Sequence, residues 1–215
     1  MRRMQPHFVA LLLAGVPAAI LPASRAPAQA RPLAPSAGPS ASDPPPILAN
    51  IGIDQKLGDQ LPLDLVFRDE QGRSVRLGDY FGQRPVVLSL VYYECPMLCT
   101  MVLNGLLKAM RAVEFDVGRE YEVITLSFDP REGPPLARGK KAAYLRQYGR
   151  AGAGEGWHFL TGELNAIEKL TEAVGFRYAY DPAGRQYAHA SGIIVLTPGG
   201  AIANANGERL ASWAG

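Results

Sequence analysis

The run Pro85 to Tyr93 (PVVLSLVYY) constrains the fold more than any other stretch of the chain. A strand with one wet face alternates apolar and polar residues. An unbroken apolar, β-branched run instead predicts a central strand covered on both faces. Tyr121 to Phe128 (YEVITLSF) and Gly192 to Thr197 (GIIVLT) repeat the signature, and Trp157 to Leu160 is a shorter version of it. Such strands need layers above and below them, so the chain must supply helices between them.

It does so. After Pro96, Leu98, Met101, Val102, Leu106 and Met110 recur at helical spacing, and Pro96 suits a first helical turn because its missing N–H would have no partner there. Pro134-Pro135 opens a second helix running to about Tyr148, and Glu163 to Val174 forms a third, closed by Gly175 in a left-handed cap. Leu63 to Arg68 and Ser74 to Leu77 flank a Gly-containing turn and read as a hairpin, while Phe176 to Tyr180 is a short strand followed by a turn over Asp181 to Gly184. Strands alternating with helices define a layered α/β domain, a sheet with helices on both faces.

The first 46 residues do not belong to this pattern. Arg2 and Arg3 precede an apolar stretch from Phe8 to Leu21, and Ala28-Gln29-Ala30 offers a cleavage site, so residues 1–30 read as a signal peptide or membrane anchor and the protein as exported. Residues 31–46 (RPLAPSAGPSASDPPP) carry too little apolar bulk to offset the entropy of ordering and read as a disordered tether. Residues 47–215 then make one domain. The chain has 22 Lys and Arg against 20 Asp and Glu; without the three leader arginines the remainder carries a net charge of −1. That balance argues against nucleic acid as partner, since backbone binding needs a basic face.

The chain has only two cysteines, Cys95 and Cys99, placed where the central strand gives way to a helix. In open α/β sheets that edge collects ligands and reacting groups, and a helix N-terminus favours a thiolate. On a helix, positions four apart hold their Cβ atoms roughly 5–6 Å apart, whereas a disulfide wants roughly 3.8 Å. A soft metal spans the gap with less distortion, and Cu(I) and Zn(II) select thiolate. A structural disulfide closing so small a loop would add only roughly 2 kcal/mol. Beyond the leader only His158 and His189 could add a nitrogen ligand. His189 precedes the strand Ile193 to Leu196 and can reach the cysteine edge only if that strand runs antiparallel to the central one; the alternative is a strand-edge histidine bonded to a loop. His158, between Trp157 and Phe159, reads as structural. Met97 and Met101 could lend soft sulfur but at this spacing read as core packing, and Asp129, in Phe128-Asp129-Pro130, reads as a turn former that at the end of a central strand could share the cysteine edge and tune the site electrostatically.

The ordered series Val91-Tyr92-Tyr93-Glu94-Cys95-Pro96-Met97-Leu98-Cys99, Leu126-Ser127-Phe128-Asp129-Pro130, Trp157-His158-Phe159-Leu160-Thr161-Gly162, Gly175-Phe176-Arg177-Tyr178 and His189 resembles the Sco/SenC family from about Gly58 to Gly200. The resemblance implies a thioredoxin-like α/β fold with a central mixed sheet. It implies copper, as Cu(I) or Cu(II), bound by Cys95, Cys99 and His189, with Asp129 in a supporting role. It further implies delivery of copper to the copper-receiving subunit of cytochrome c oxidase, or thiol-disulfide exchange by Cys95 and Cys99 that keeps that subunit's cysteines reduced, with a thiol reductant as second partner. The setting implied is the bacterial periplasm or the outer face of the cytoplasmic membrane.

Two departures from the family pattern set further expectations. Glu94 stands where many members carry histidine, and a carboxylate there should oppose the Cys95 thiolate, favouring metal carriage over redox catalysis. The family also continues past the last hairpin into another strand and a closing helix, whereas Ala201 to Gly215 is short, polar and poorly periodic, so the C-terminal element is expected to be truncated.

Overall fold

The computed structural model describes residues 46–203. The leader, the tether up to residue 45 and the tail from residue 204 lie outside the described residues. Pro46, assigned to the tether, opens a 3-10 helix over Pro46–Asn50.

The central sheet has four strands: β4 (Val86–Val91), β5 (Glu122–Ser127), β6 (Trp157–Leu160) and β9 (Ile193–Leu196), in the order β6-β5-β4-β9. β4, β5 and β6 are parallel, and β9 runs antiparallel to β4 with Ser89 opposite Ile193 and Val86 opposite Leu196. Five successive residues of β5, Val123 to Ser127, are buried. Because successive side chains point to opposite faces, this strand is covered on both, as its unbroken apolar run requires. Each Val, Leu or Ile so buried contributes about 1.5–3 kcal/mol of transfer free energy. Among the buried polar residues of these strands, Ser89 donates to Thr125 at 3.2 Å, the Trp157 indole N–H donates to Thr125 at 3.0 Å, and Ser127 donates to Glu132.

Helix α1 (Leu98–Ala112) buries Cys99, Leu103, Leu106, Leu107 and Met110 and packs against α2 (Pro134–Tyr148), which lies over β6. A one-turn helix α3 (Ala153–Gly156), which carries no sequence signal of its own, leads into β6. α4 (Leu164–Ala173) buries Ile167 and Leu170 and ends at Gly175, whose φ of 69° is left-handed. A Cβ there would lie 2.2 Å from the Asp54 carbonyl oxygen, so only glycine fits.

Two smaller sheets complete the domain. The expected hairpin is β2 (Val66–Arg68) with β3 (Ser74–Arg76). The second is a three-stranded antiparallel sheet of β1 (Gly52–Ile53), β7 (Phe176–Asp181) and β8 (Gln186–His189). β1 and β8 are not apparent from sequence: β1 is two residues long, and Gln186 to His189 lacks an apolar run. At the C-terminal end Ala203 donates its amide to the Val195 carbonyl at 2.8 Å, starting a further antiparallel pairing on β9.

Candidate metal centre

The centre is built at the C-terminal edge of β4. The chain leaves the strand at Val91, and α1 begins at Leu98 with Met97 as its N-cap. Pro96 therefore lies in the connecting loop and not in the first helical turn as predicted, and Cys95 is outside the helix. The helical i,i+4 distance does not apply to the cysteine pair. Tyr93 anchors the loop: its ring is buried and its hydroxyl lies 2.8 Å from the Leu160 carbonyl and 2.9 Å from that of Thr125.

Cys99, in the first turn of α1, donates its amide to Cys95 Sγ at 3.3 Å, while its own Sγ accepts from the Tyr92 amide at 3.3 Å. Both cysteines are free thiols. Burial works against the Cys95 thiolate, but the amides of Cys99 and Met97, aided by the Tyr92 hydroxyl and the Cys99 thiol, outweigh it and hold the thiol below its ordinary value. Cys99 goes the other way. Burial above all pushes its thiol well up, and the neighbouring Cys95 charge adds to the shift. The expectation that Glu94 weakens Cys95 as a nucleophile is thus not met. Glu94 is exposed to solvent, and the amides of Cys99 and Met97 at the Cys95 sulfur favour its thiolate.

His189 ends β8, opposite Tyr178 of β7. The antiparallel β4–β9 register is the condition the sequence set for its approach, and it is fulfilled: the chain between His189 and Ile193 is delivered to the cysteine end of β4. The ring sits among Phe128 at 5.2 Å, Tyr92 at 5.8 Å and Phe176 at 6.3 Å between centroids. Nδ1–H donates to the Ala190 carbonyl at 2.7 Å, leaving the Nε2 lone pair aimed at Cys99 Sγ, 3.4 Å away. Burial holds the imidazole below its ordinary value, so it stays neutral and able to ligate.

One donor atom each from Cys95, Cys99 and His189 lies within 4.8 Å of the other two, and all three residues are buried. A trigonal ion with bonds of roughly 2.0–2.3 Å separates its donors by roughly 3.5–4.0 Å, so two soft sulfurs and a neutral imidazole fit a thiophilic metal with small adjustment.

Asp129 does sit at the same sheet edge, but it is not one of these donors. Its carboxylate is engaged by Arg131 Nη2 at 2.6 Å and Nε at 2.8 Å and accepts from the Tyr187 hydroxyl at 3.4 Å. Burial raises its pKa, and Arg131 more than reverses that. His158 is structural as read: its Nε2 lies 3.0 Å from Glu122, and its ring packs on Tyr80 at 4.2 Å. Met97 and Met101, by contrast, are not core residues. They are 66% and 62% exposed, because α1 turns the 99, 103, 106, 110 stripe inward and leaves 97 and 101 on the other face. Sequence reasoning also missed Glu132. In Pro130-Arg131-Glu132-Gly133 it resembles any loop charge, yet it is buried and accepts the amides of Tyr93 and Glu94.

The family model described as SCO1/SenC matches residues 55–209. The chain belongs to the SCO1/SenC family. Among solved structures it is similar to a protein of Aquifex aeolicus VF5, with 27% identity, a TM-score of 0.59, and 69% of this chain and 83% of that one covered. It is also similar to Bradyrhizobium japonicum ScoI with copper bound, at 20% identity, a TM-score of 0.53 and coverage of 69% and 87%. A third is a SCO1/SenC family lipoprotein of Bacillus anthracis str. Ames, at 16% identity, a TM-score of 0.55 and coverage of 70% and 87%. No curated protein matches the chain at a significant level. The mixed sheet and its helices are thus the α/β fold shared with these structures.

Proposed function

We propose that this protein is a copper carrier serving assembly of the copper centre of cytochrome c oxidase, with Cys95, Cys99 and His189 as the ligands. The observation that carries the reading is the convergence of those three residues, from β4–α1 and from β8, into one buried cluster in a chain of this family. Copper is favoured over zinc because three donors with no carboxylate among them suit a trigonal soft ion, whereas structural zinc is almost always four-coordinate. Copper-bound ScoI of Bradyrhizobium japonicum, similar in fold, supports the choice. Copper is the cargo: two thiolates and an imidazole bind it, aromatic rings exclude water, and a partner offering equally soft donors receives it.

The receiving partner is the copper-binding subunit of the oxidase, and the place is outside the cytoplasmic membrane. The sequence of residues 1–30, with two arginines ahead of the apolar stretch Phe8 to Leu21, supports export. Asp129 supports the site at one remove, by holding Tyr187 two residues before His189.

A second reading has its own observation. Cys95 with a lowered pKa beside Cys99 with a raised one is the asymmetry of an attacking and a resolving thiol, so reduction of the partner's cysteines is the alternative activity. One experiment separates the two. Residues 31 to 215 are reduced, given one equivalent of Cu(II) and compared with His189→Ala by optical spectroscopy. A one-to-one thiolate-to-copper charge-transfer band that disappears in the variant establishes the carrier. Absence of the band in the wild type, with cysteines that cycle readily against a dithiol, establishes the oxidoreductase instead.

A further inference from the structure

Between β5 and α2 the chain turns through Phe128 to Gly133, and from this turn Glu132 reaches across to the loop that carries Cys95. Its Oε2 accepts the Tyr93 amide at 2.7 Å and its Oε1 accepts the Glu94 amide at 2.7 Å, while the Ser127 hydroxyl closes on Oε2. The residue is 8% exposed, and these three partners are all neutral donors. A carboxylate buried without a cation is costly. Charge-assisted hydrogen bonds, roughly twice as strong as neutral ones, offset that cost only where the donors are held in place.

The amides it grips are those of the two residues that immediately precede Cys95. The loop there is neither strand nor helix, so nothing in regular secondary structure satisfies those amides or fixes their direction. Cys99 is held by α1 and by the Tyr92 amide, and His189 by the Ala190 carbonyl. Cys95 Sγ accepts the Cys99 amide and the Cys95 amide closes a turn on the Tyr92 carbonyl at 3.2 Å, but its backbone lies wholly in the loop, so its position depends on the loop.

We propose that Glu132 is the positioning residue of the cysteine loop: by clamping the Tyr93 and Glu94 amides it fixes where Cys95 Sγ stands relative to Cys99 and His189. It thereby holds the two sulfurs at the separation a metal bridges and resists the approach to roughly 2.05 Å that a disulfide needs. This deepens the copper-carrier reading and rests on the same site.

Glu132→Gln tests it, because the shape is kept while an NH2 group must face one of the two amide donors. The decisive measurement does not require copper. The protein is equilibrated with reduced and oxidised glutathione: Cys95 and Cys99 lose two protons and two electrons in forming the disulfide, and glutathione disulfide takes them up to become two glutathiones. The variant is expected to favour the intramolecular disulfide by about tenfold or more, a reduction potential lower by about 30 mV. A shift of less than about threefold overturns the proposal. Ser127→Ala is the control, since it removes a donor from the same carboxylate and leaves both amide contacts in place. A shift as large as that of Glu132→Gln would assign the effect to packing and would also overturn the proposal. If Glu132→Gln does not fold, Glu132→Asp carries the same test, its shorter carboxylate reaching one amide in place of two. In parallel, Cu(I) affinity of the variant should fall about 10- to 100-fold. Wild type that binds no copper sinks the carrier reading alone; the glutathione equilibrium still decides the role of Glu132.

Discussion

A histidine lies at each end of the central sheet, His158 on its own strand β6 and His189 brought from β8, and the two have different fates. At the N-terminal end of the parallel strands, His158 lies against Glu122, which also pairs with Arg84, and packs under Tyr80. At the C-terminal end, His189 lies against a thiol with its other nitrogen tied to a carbonyl. A carboxylate beside an imidazole takes that nitrogen's N–H in a hydrogen bond, so the nitrogen offers no lone pair; a thiol beside it leaves two soft donors facing one another. Being buried beside a polar partner does not make a histidine a ligand. The chemistry of the partner does.

Exchanging each histidine for alanine should break this comparison most sharply. His189→Ala is expected to lose Cu(I) affinity by about 100-fold or more, beyond the loss typical of supporting residues, as read by competition with a chelator. His158→Ala should keep copper affinity within about threefold. Comparable losses in both variants would mean that the cluster around His189 is not the binding site.

The cysteine end should also be chemically uneven where the other end is inert. At neutral pH, limiting alkylation followed by peptide mapping is expected to label Cys95 about tenfold ahead of Cys99, because the Cys95 thiol is held below its ordinary value and the Cys99 thiol is pushed well above it. Equal labelling would remove the physical basis of the oxidoreductase alternative.

Stability should show the opposite ranking. His158→Ala removes the imidazole that bridges Glu122 and Tyr80 and is expected to cost about 1–3 kcal/mol in urea unfolding. A smaller effect follows from pH. The folded-state pKa of His189 lies below its unfolded value near 6.5. Between those values the unfolded chain binds the proton and the folded one does not. The metal-free protein should therefore hold the contribution of His189 in full above about pH 6.5 and lose it as pH falls through the folded value. Chemical denaturation across pH 4 to 8 should show this slope, and His189→Gln should flatten it. The smallest effect belongs to the exposed methionines: Met97→Leu and Met101→Leu should change stability by less than about 0.5 kcal/mol. A larger loss would mean that they pack against something after all.

Much of the fold was legible because its strands are covered on both faces and leave unbroken apolar runs: Val86–Val91, Glu122–Ser127 and Ile193–Leu196 fall inside the stretches read from sequence, and α2 spans the residues expected of it. β1 and β8 were not legible because short strands in a small peripheral sheet bury few side chains and carry little pattern. For the site, the cysteines announced themselves by scarcity and His189 by its order in a family-like series. The exposure of Met97 and Met101 was misread because periodicity gives a stripe without saying where its margin falls.

The sequence by itself determined which chemistry was available: two thiols, two histidines outside the leader, and buried strands to carry them, since composition and hydrophobic pattern are properties of the chain alone. Tertiary structure decided which of those groups meet. The antiparallel addition of β9 brought His189 to the cysteines and left His158 at the far end, and the fold of the β5–α2 turn put Glu132 under the two amides before Cys95. Both are long-range pairings, separated by 90 residues for Cys99 and His189 and by 38 for Glu94 and Glu132, and no local spacing encodes a contact at that distance.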